Sequence, residues 1–297
     1  VLQRALSTRR LVLENRRLKA QLETGDPAAR MIFGTSGLVE DLRDRVRKVA
    51  RMGAEVLVTG PPGAGVPKVA EVIHLMSPAA AGPFVKRHAA GMDPGALAEA
   101  LAAGAGGSLF LDDVGALPDP AQYALLERLE QGPQARLIAG STADLGAQVA
   151  AGGMNAELYY RLDVTPVRIP ALSERPEDIP VLFTHYVAQA AEQAGLPAPE
   201  VTTDHMARLM AQDWPGNARA LMSAAMRFVL GMPEEAPEAE ELGLTEQMAR
   251  VERALLIAAL SRQNGRASET AKALKLPRKT FYDKLARYGI RPDDYRR

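Results

Sequence analysis

Glu55-Val-Leu-Val-Thr-Gly-Pro-Pro-Gly-Ala-Gly-Val-Pro67 is the stretch that decides the fold. Val56, Leu57 and Val58 form a short apolar run ending at Gly60, the pattern of a buried parallel strand. Gly60, Gly63 and Gly65 follow, and then a helix-like segment from Pro67 to Leu75. Proline suits a first helical turn because that N–H has no intrahelical partner. Strand, glycine-rich loop and helix together present backbone N–H groups and a helix N-terminus to an anion, which is the build of a phosphate-binding loop. The pattern G-x-x-x-x-G-K-[ST] fits at Gly60 and Gly65, but Val66 stands in the lysine position and Pro67 follows it. The glycine cradle is kept and its cation is missing.

Composition narrows the surroundings. The 297 residues include no cysteine and 36 basic against 36 acidic side chains. At ~150 residues per domain, this length predicts two or three units with a real core. Without cysteine there is no disulfide framework, thiolate metal site or cysteine nucleophile. The four histidines, His74, His88, His185 and His205, share no metal-like spacing, so no metal site is expected. No apolar run approaches the ~18 residues that span a bilayer, so a cytoplasmic protein without a membrane partner is expected. A start at Val1 rather than Met predicts that a preceding segment has been removed.

Outward from the loop, residues 31–172 alternate strand and helix signals. Leu38–Met52 is amphipathic, Phe84-Val85 begins a strand, and Ser108-Leu-Phe-Leu-Asp-Asp113 is an apolar strand ending in two carboxylates. Ala121–Glu130 reads as helix, Arg136–Ala139 and Val164–Ile169 as strands, and alanine-rich 89–105 as helix and tight turn. Such interleaving predicts a mostly parallel, helix-covered sheet. Residues 173–231 turn all-helical, broken at Trp214-Pro215-Gly216, and 232–246 is an acidic, proline-containing linker. Three helices fit 247–297: Met248–Gln263, Ser268–Leu274 and Pro277–Tyr288. At the other end, 1–24 reads as a polar linker helix with a leucine seam (Leu11, Leu18, Leu22) around Asn15, either a short parallel coiled coil or a single amphipathic helix.

These residues resemble the AAA+ enhancer-binding activators of sigma-54 RNA polymerase, of the response-regulator type. Leu109-Phe-Leu-Asp-Asp-Val-Gly115 is similar to the family's Walker B strand, and Ala156-Glu-Leu-Tyr-Tyr-Arg-Leu162 to its arginine-finger helix. Leu172-Ser-Glu-Arg-Pro-Glu-Asp-Ile179 resembles the start of its helical lid, Trp214-Pro-Gly-Asn-Ala-Arg219 its sensor II segment, and the last 50 residues or so (247–297) its Fis-type helix-turn-helix. The resemblance implies an α/β AAA+ P-loop domain with an all-α lid, then an all-α DNA-binding domain. It also implies that a receiver domain often comes first.

The same resemblance exposes departures. Beside Val66, Lys68 lies roughly 200° around a regular helix from the ligand side, where a solvated surface lysine is expected. Asp112 keeps the Mg²⁺-ligand position, while Asp113 stands where the family has glutamate, a methylene shorter. His88 aligns with the switch asparagine, Thr142 with the sensor I asparagine, and Asn155 with the first finger arginine; Arg161 and Arg219 are kept. ATP hydrolysis needs lysine, metal carboxylate, water-orienting base and arginine finger together, and each lost contact of this kind is typically worth ~10²–10³ in rate. Two loops with which the family faces the sigma factor are cut short, at Gly104–Gly107 and at Gln131–Ala135.

The expectation is therefore a sequence-specific DNA-binding transcription regulator that is not an enzyme. Its AAA+ part would be a non-hydrolysing oligomerisation scaffold, with no catalytic residues and at most weak ATP or ADP binding through Gly60, Gly63, Gly65, Asp112, Asp113, Arg161 and Arg219. Arg278, Lys279, Thr280, Tyr282 and Lys284 of the third C-terminal helix, with Lys272, would contact double-stranded DNA, while Phe281 and Leu285 face the core. Ser268 is placed to cap the second of those helices and Pro277 to begin the third, with Lys275 in the left-handed turn position. The expected partners are DNA, a second copy in a dimer, and RNA polymerase with its housekeeping sigma factor. Two rivals stand beside this: an ATP-hydrolysing activator that remodels polymerase, and a regulator in which nucleotide is a conformational ligand only.

Overall fold

The computed structural model describes residues 25–132, 134–232, 249, 252–253, 255–257, 259–260, 263 and 265–295. The linker helix expected over 1–24 and nearly all of the acidic linker expected over 232–246 lie outside the described residues. The chain forms two compact units. The first takes 25–33, Leu42–Gly60 and Val66–Ile169; the second takes Gly34–Asp41, Pro61–Gly65 and everything from Pro170 on.

In the first unit, β1 (Val56–Thr59), β2 (Phe84–His88), β3 (Ser108–Asp112), β4 (Arg136–Ser141) and β5 (Pro166–Arg168) make one all-parallel sheet in the order β2-β3-β4-β1-β5. Around it lie α1 (Pro27–Met31), most of α2 (Gly37–Arg51), α3 (Val66–Leu75), α4 (Pro94–Ala103), α5 (Asp119–Gln131), α6 (Leu145–Ala150) and α7 (Ala156–Leu162). Parallel strands need crossovers, and crossovers put helices on both faces. Successive strand residues are accordingly buried on both sides. Leu57, Leu109, Leu111 and Leu137 pack with Leu97, Leu125, Leu129 and Leu158 on one side, while Val56, Val58, Phe110 and Ile138 are also buried. The strand and helix expectations from 31 to 172 hold to within a few residues, and the helix in the alanine-rich segment is α4.

Two polar side chains in this unit are well matched. His74 Nδ1 lies 3.0 Å from Ser108 Oγ and its ring stacks on Phe84 at 4.9 Å, with burial holding its pKa below the ordinary histidine value. Arg136 donates to the carbonyls of Val49, Ala50 and Ala54 at 2.6, 2.9 and 3.1 Å, closing the C-terminal end of α2 just before β1. A guanidinium complements the orphan carbonyls and the negative pole of a helix end.

The second unit contains α8 (Ile179–Ala194), α9 (Thr203–Ala211) and α10 (Asn217–Val229), then α11 (Ala267–Ala273) and α12 (Arg278–Arg287). Phe183 lies in the lid core, with the His205 ring stacked on Phe228 at 4.5 Å, and Trp214 Nε1 donates to the Leu209 carbonyl at 2.9 Å. The helical stretch expected over 173–231 has a second break: Gly195, left-handed at φ 65°, caps α8, and Pro197 and Pro199 follow before α9 begins. In the C-terminal part Phe281 and Leu285 are buried with Leu256, Ile257, Leu260 and Ala271, and Lys275 adopts φ 53° in the turn before α12. The capping expectation is corrected. Arg266 precedes α11, Ser268 lies inside its first turn, and Pro277 is the cap residue of α12. Among the described residues no helix is long and apolar enough to cross a membrane.

Candidate functional site

The glycine loop is shaped by backbone contacts. Gly60 N–H donates to the Ser141 carbonyl at 3.3 Å at the end of β1, and Ala64 N–H donates to the Pro61 carbonyl at 3.0 Å, folding the loop into a turn. Gly63 has φ 75° and Gly65 φ 99°, values that L side chains rarely adopt. A Cβ on Gly63 would stand 2.1 Å from the Gly216 carbonyl oxygen, so glycine is required there on two counts. Arg219 N–H donates to the Gly63 carbonyl at 3.2 Å, while the Arg219 side chain is exposed. Helix α3 begins one residue earlier than expected, with Val66 buried in its first turn (3 % exposed). Lys68 is an exposed surface residue 3.7 Å from Glu71, as expected.

In the sheet unit, Asp112 and Asp113 stand half-buried at the C-terminal end of β3, the end at which ligands bind in open α/β sheets. Asp113 takes a left-handed backbone (φ 55°), an uncommon state for a non-glycine residue and of the kind that collects at functional sites. His88, at the end of β2, pairs in register with Asp112, and its Nδ1 accepts from Ala90 N–H at 3.2 Å. Thr142 is exposed just past β4.

Two positions read from the finger helix have intramolecular work. Asn155 caps α7, its Oδ1 accepting from Glu157 and Leu158 N–H at 2.8 and 3.1 Å, so the residue aligned with a finger arginine is a helix cap here. Arg161 donates to the Leu129 carbonyl at 3.0 Å and sits 3.6 Å from Glu55, the residue before β1.

The sequence reading missed two residues that organise the second unit. Asp178 is fully buried, and its carboxylate accepts from Thr35 N–H, Ser36 N–H and Ser36 Oγ–H at 2.6, 2.8 and 2.6 Å, with Arg175 at 3.6 Å. Asn217, left-handed at φ 49°, bonds at once to Leu172, Pro215 and Pro62. The only signal for either was residue type: asparagine tolerates the left-handed region after Pro-Gly, and an Arg-x-x-Asp spacing allows an i,i+3 pair.

On α12, Arg278, Lys279 and Thr280 are exposed in the N-terminal turn, and Tyr282 is exposed one turn on. Lys272 on α11 is exposed and lies 3.1 Å from Glu269. Lys284 departs from the expectation. It is half-buried and ion-paired with Glu252, whose carboxylate also accepts from Tyr288 Oη at 2.6 Å. Among the described residues no cluster of His, Asp or Glu could hold a metal ion.

The chain matches three family descriptions in succession: the sigma-54 interaction domain over residues 33–172, the AAA+ ATPase lid domain over 173–254, and the Fis family of bacterial regulatory proteins over 247–288. It is 36% identical over 329 residues to the C4-dicarboxylate transport transcriptional regulatory protein DctD of Rhizobium meliloti, covering 98% of this chain and 71% of that one. It is 30% identical over 348 residues to the nitrogen assimilation regulatory protein NtrX of Azorhizobium caulinodans, covering 98% and 75%. Among solved structures, NtrX of Brucella abortus in complex with ATP superposes with a TM-score of 0.70 at 30% identity, over 97% of this chain and 75% of that one; the complex with ADP gives 0.69. These matches correct the expectation that the chain is not an enzyme, since the family is one of AAA+ ATPases and a relative across nearly the whole chain was crystallised with ATP and with ADP. That expectation summed four side-chain losses as if they were independent, although effects of residues that act as a unit are far from additive.

Proposed function

Because the chain belongs to the sigma-54 interaction family of AAA+ transcriptional regulators, we propose that it is an ATP-hydrolysing, DNA-bound regulator whose turnover controls its assembly at a promoter. The glycine loop supports nucleotide binding: Gly63 and Gly65 keep the positive-φ backbone that turns N–H groups toward an anion, with no side chain needed. In this reading Gly60, Gly63 and Gly65 hold the phosphates, Asp112 would ligate Mg²⁺, Asp113 would orient water, and Arg161 and Arg219 would stabilise phosphoryl charge. Bound Mg²⁺ would neutralise charge on the phosphate oxygens.

DNA recognition falls to residues 247–297, with Arg278, Lys279, Thr280 and Tyr282 at base edges and Lys272 on phosphate. The exposed basic first turn of α12 carries this assignment. Two such helices in a dimer would engage half-sites about 34 Å apart. The short connections from α4 to β3 and from α5 to β4 favour a partner other than sigma-54, namely polymerase carrying the housekeeping sigma factor.

Phosphate release by the purified chain tests the enzymatic part. Steady turnover lost in Asp112→Ala is expected, and equal release by both proteins refutes it. Transcription reconstituted with polymerase carrying either sigma factor tests the partner: a response confined to the sigma-54 holoenzyme would exclude the housekeeping assignment.

A further inference from the structure

The glycine loop is gripped by one side chain of the lid. Asn217 is buried (4 % exposed), and its Nδ2 donates to the Pro62 carbonyl at 2.9 Å and to the Pro215 carbonyl at 3.2 Å, while its Oδ1 accepts from Leu172 N–H at 2.8 Å. All of these residues belong to the second unit. One amide thus joins the loop, the Trp-Pro-Gly turn and Leu172, the residue just before the lid domain.

We propose that Asn217 is a positioning residue for nucleotide phosphate, an inference that rests on the nucleotide-binding reading above. The described peptide bonds are all trans, and in a trans peptide the C=O and N–H point in opposite directions. Fixing the Pro62 carbonyl on Asn217 therefore turns the N–H of Gly63, in the same peptide unit, away from the lid side chain. The next peptide is held as well, its Gly63 carbonyl by Arg219 N–H and its Ala64 N–H by the Pro61 carbonyl, which fixes the turn around Gly63. Gly63 has no Cβ, and this allows the loop to approach the Gly216 carbonyl closely enough for both contacts. With Val66 in the lysine position, oriented backbone N–H groups carry a larger share of phosphate binding than a lysine-bearing loop asks of them. The side chain that orients them then controls affinity without touching the ligand.

Asn217→Gly separates this role from backbone strain, since glycine accepts φ 49° and removes only the amide. Loss of one aimed donor should raise the Kd for ADP and for ATP by about tenfold alike. The KM for ATP should rise by a similar factor with kcat within about twofold, the split expected when binding is lost equally from ground and transition states. Asn217→Asp keeps the acceptor for Leu172 N–H and the tolerance of the left-handed backbone but loses the donor to Pro62; it should show the same rise, and it decides the matter if the glycine variant does not fold. An ADP Kd unchanged in a folded variant overturns the assignment, as does a loss confined to kcat. A parent chain that binds no ADP overturns the nucleotide reading itself, a distinct result.

Discussion

Lys284 of the recognition helix is paired with Glu252 of the helical segment that precedes it in the domain. With Tyr288 on the same carboxylate, this contact ties α12 to its own scaffold. The Lys284 contact, ahead of that from Tyr288, holds the Glu252 pKa below the ordinary glutamate value. A carboxyl with a depressed folded-state pKa contributes stability above its unfolded pKa and loses it as pH falls through the folded one. The thermal midpoint of the C-terminal domain should therefore fall more steeply below about pH 4.5 in the parent than in Glu252→Gln. The pair is partly exposed, so its contribution at neutral pH is at most about 1 kcal/mol. Identical acid limbs in the two proteins would exclude it.

DNA contacts divide by chemistry. Arg278→Ala should lose discrimination at particular base pairs, by about 1–3 kcal/mol each, and weaken unrelated sequences less. Lys272→Ala should weaken all sequences alike and flatten the slope of log affinity against log salt by about one unit. Lys284→Ala should change the slope least. Anisotropy titrations across a salt series separate the three outcomes.

Asp178 collects three donors and a guanidinium in a fully buried site. Burial holds the Arg175 pKa below its ordinary value, opposed by Asp178. Asp178→Ala leaves that cation buried (5 % exposed) without this partner and strips the acceptor from Thr35 and Ser36. A destabilisation of about 3–5 kcal/mol is expected from urea unfolding. A loss below about 1 kcal/mol would mean that water replaces the carboxylate.

Gly63→Ala meets two obstacles, the φ of 75° and the Gly216 carbonyl 2.1 Å from the new Cβ. The backbone strain alone is worth about 1–2 kcal/mol. Nucleotide affinity should fall by more than in Asn217→Gly, because the whole loop must shift. Isothermal titration of both variants gives the order.

Val66→Lys restores a cation to the loop. ATP affinity and turnover should both rise, ATP gaining more than ADP because the ammonium reaches the β- and γ-phosphates. The nucleotide-free protein should lose about 1–2 kcal/mol, since a buried valine side chain is given up. Equal gains for ATP and ADP would show that the lysine does not reach the terminal phosphate.

Some of this protein is written locally, and its sequence alone determined it. The run Val56-Leu57-Val58, the glycines after it and the valine at 66 place strand, loop and helix, because short-range periodicity and turn chemistry act within a few residues. Phe281 and Leu285, four apart, mark the inner face of α12 for the same reason. Tertiary structure alone decided what long side chains do at their tips. Arg161 turned to Glu55, Lys284 turned to Glu252, and Asn217 reached Pro62 across 155 positions of sequence. A polar tip bonds whichever partner the closed chain brings within about 3 Å, and no local pattern encodes which carbonyl or carboxylate that is.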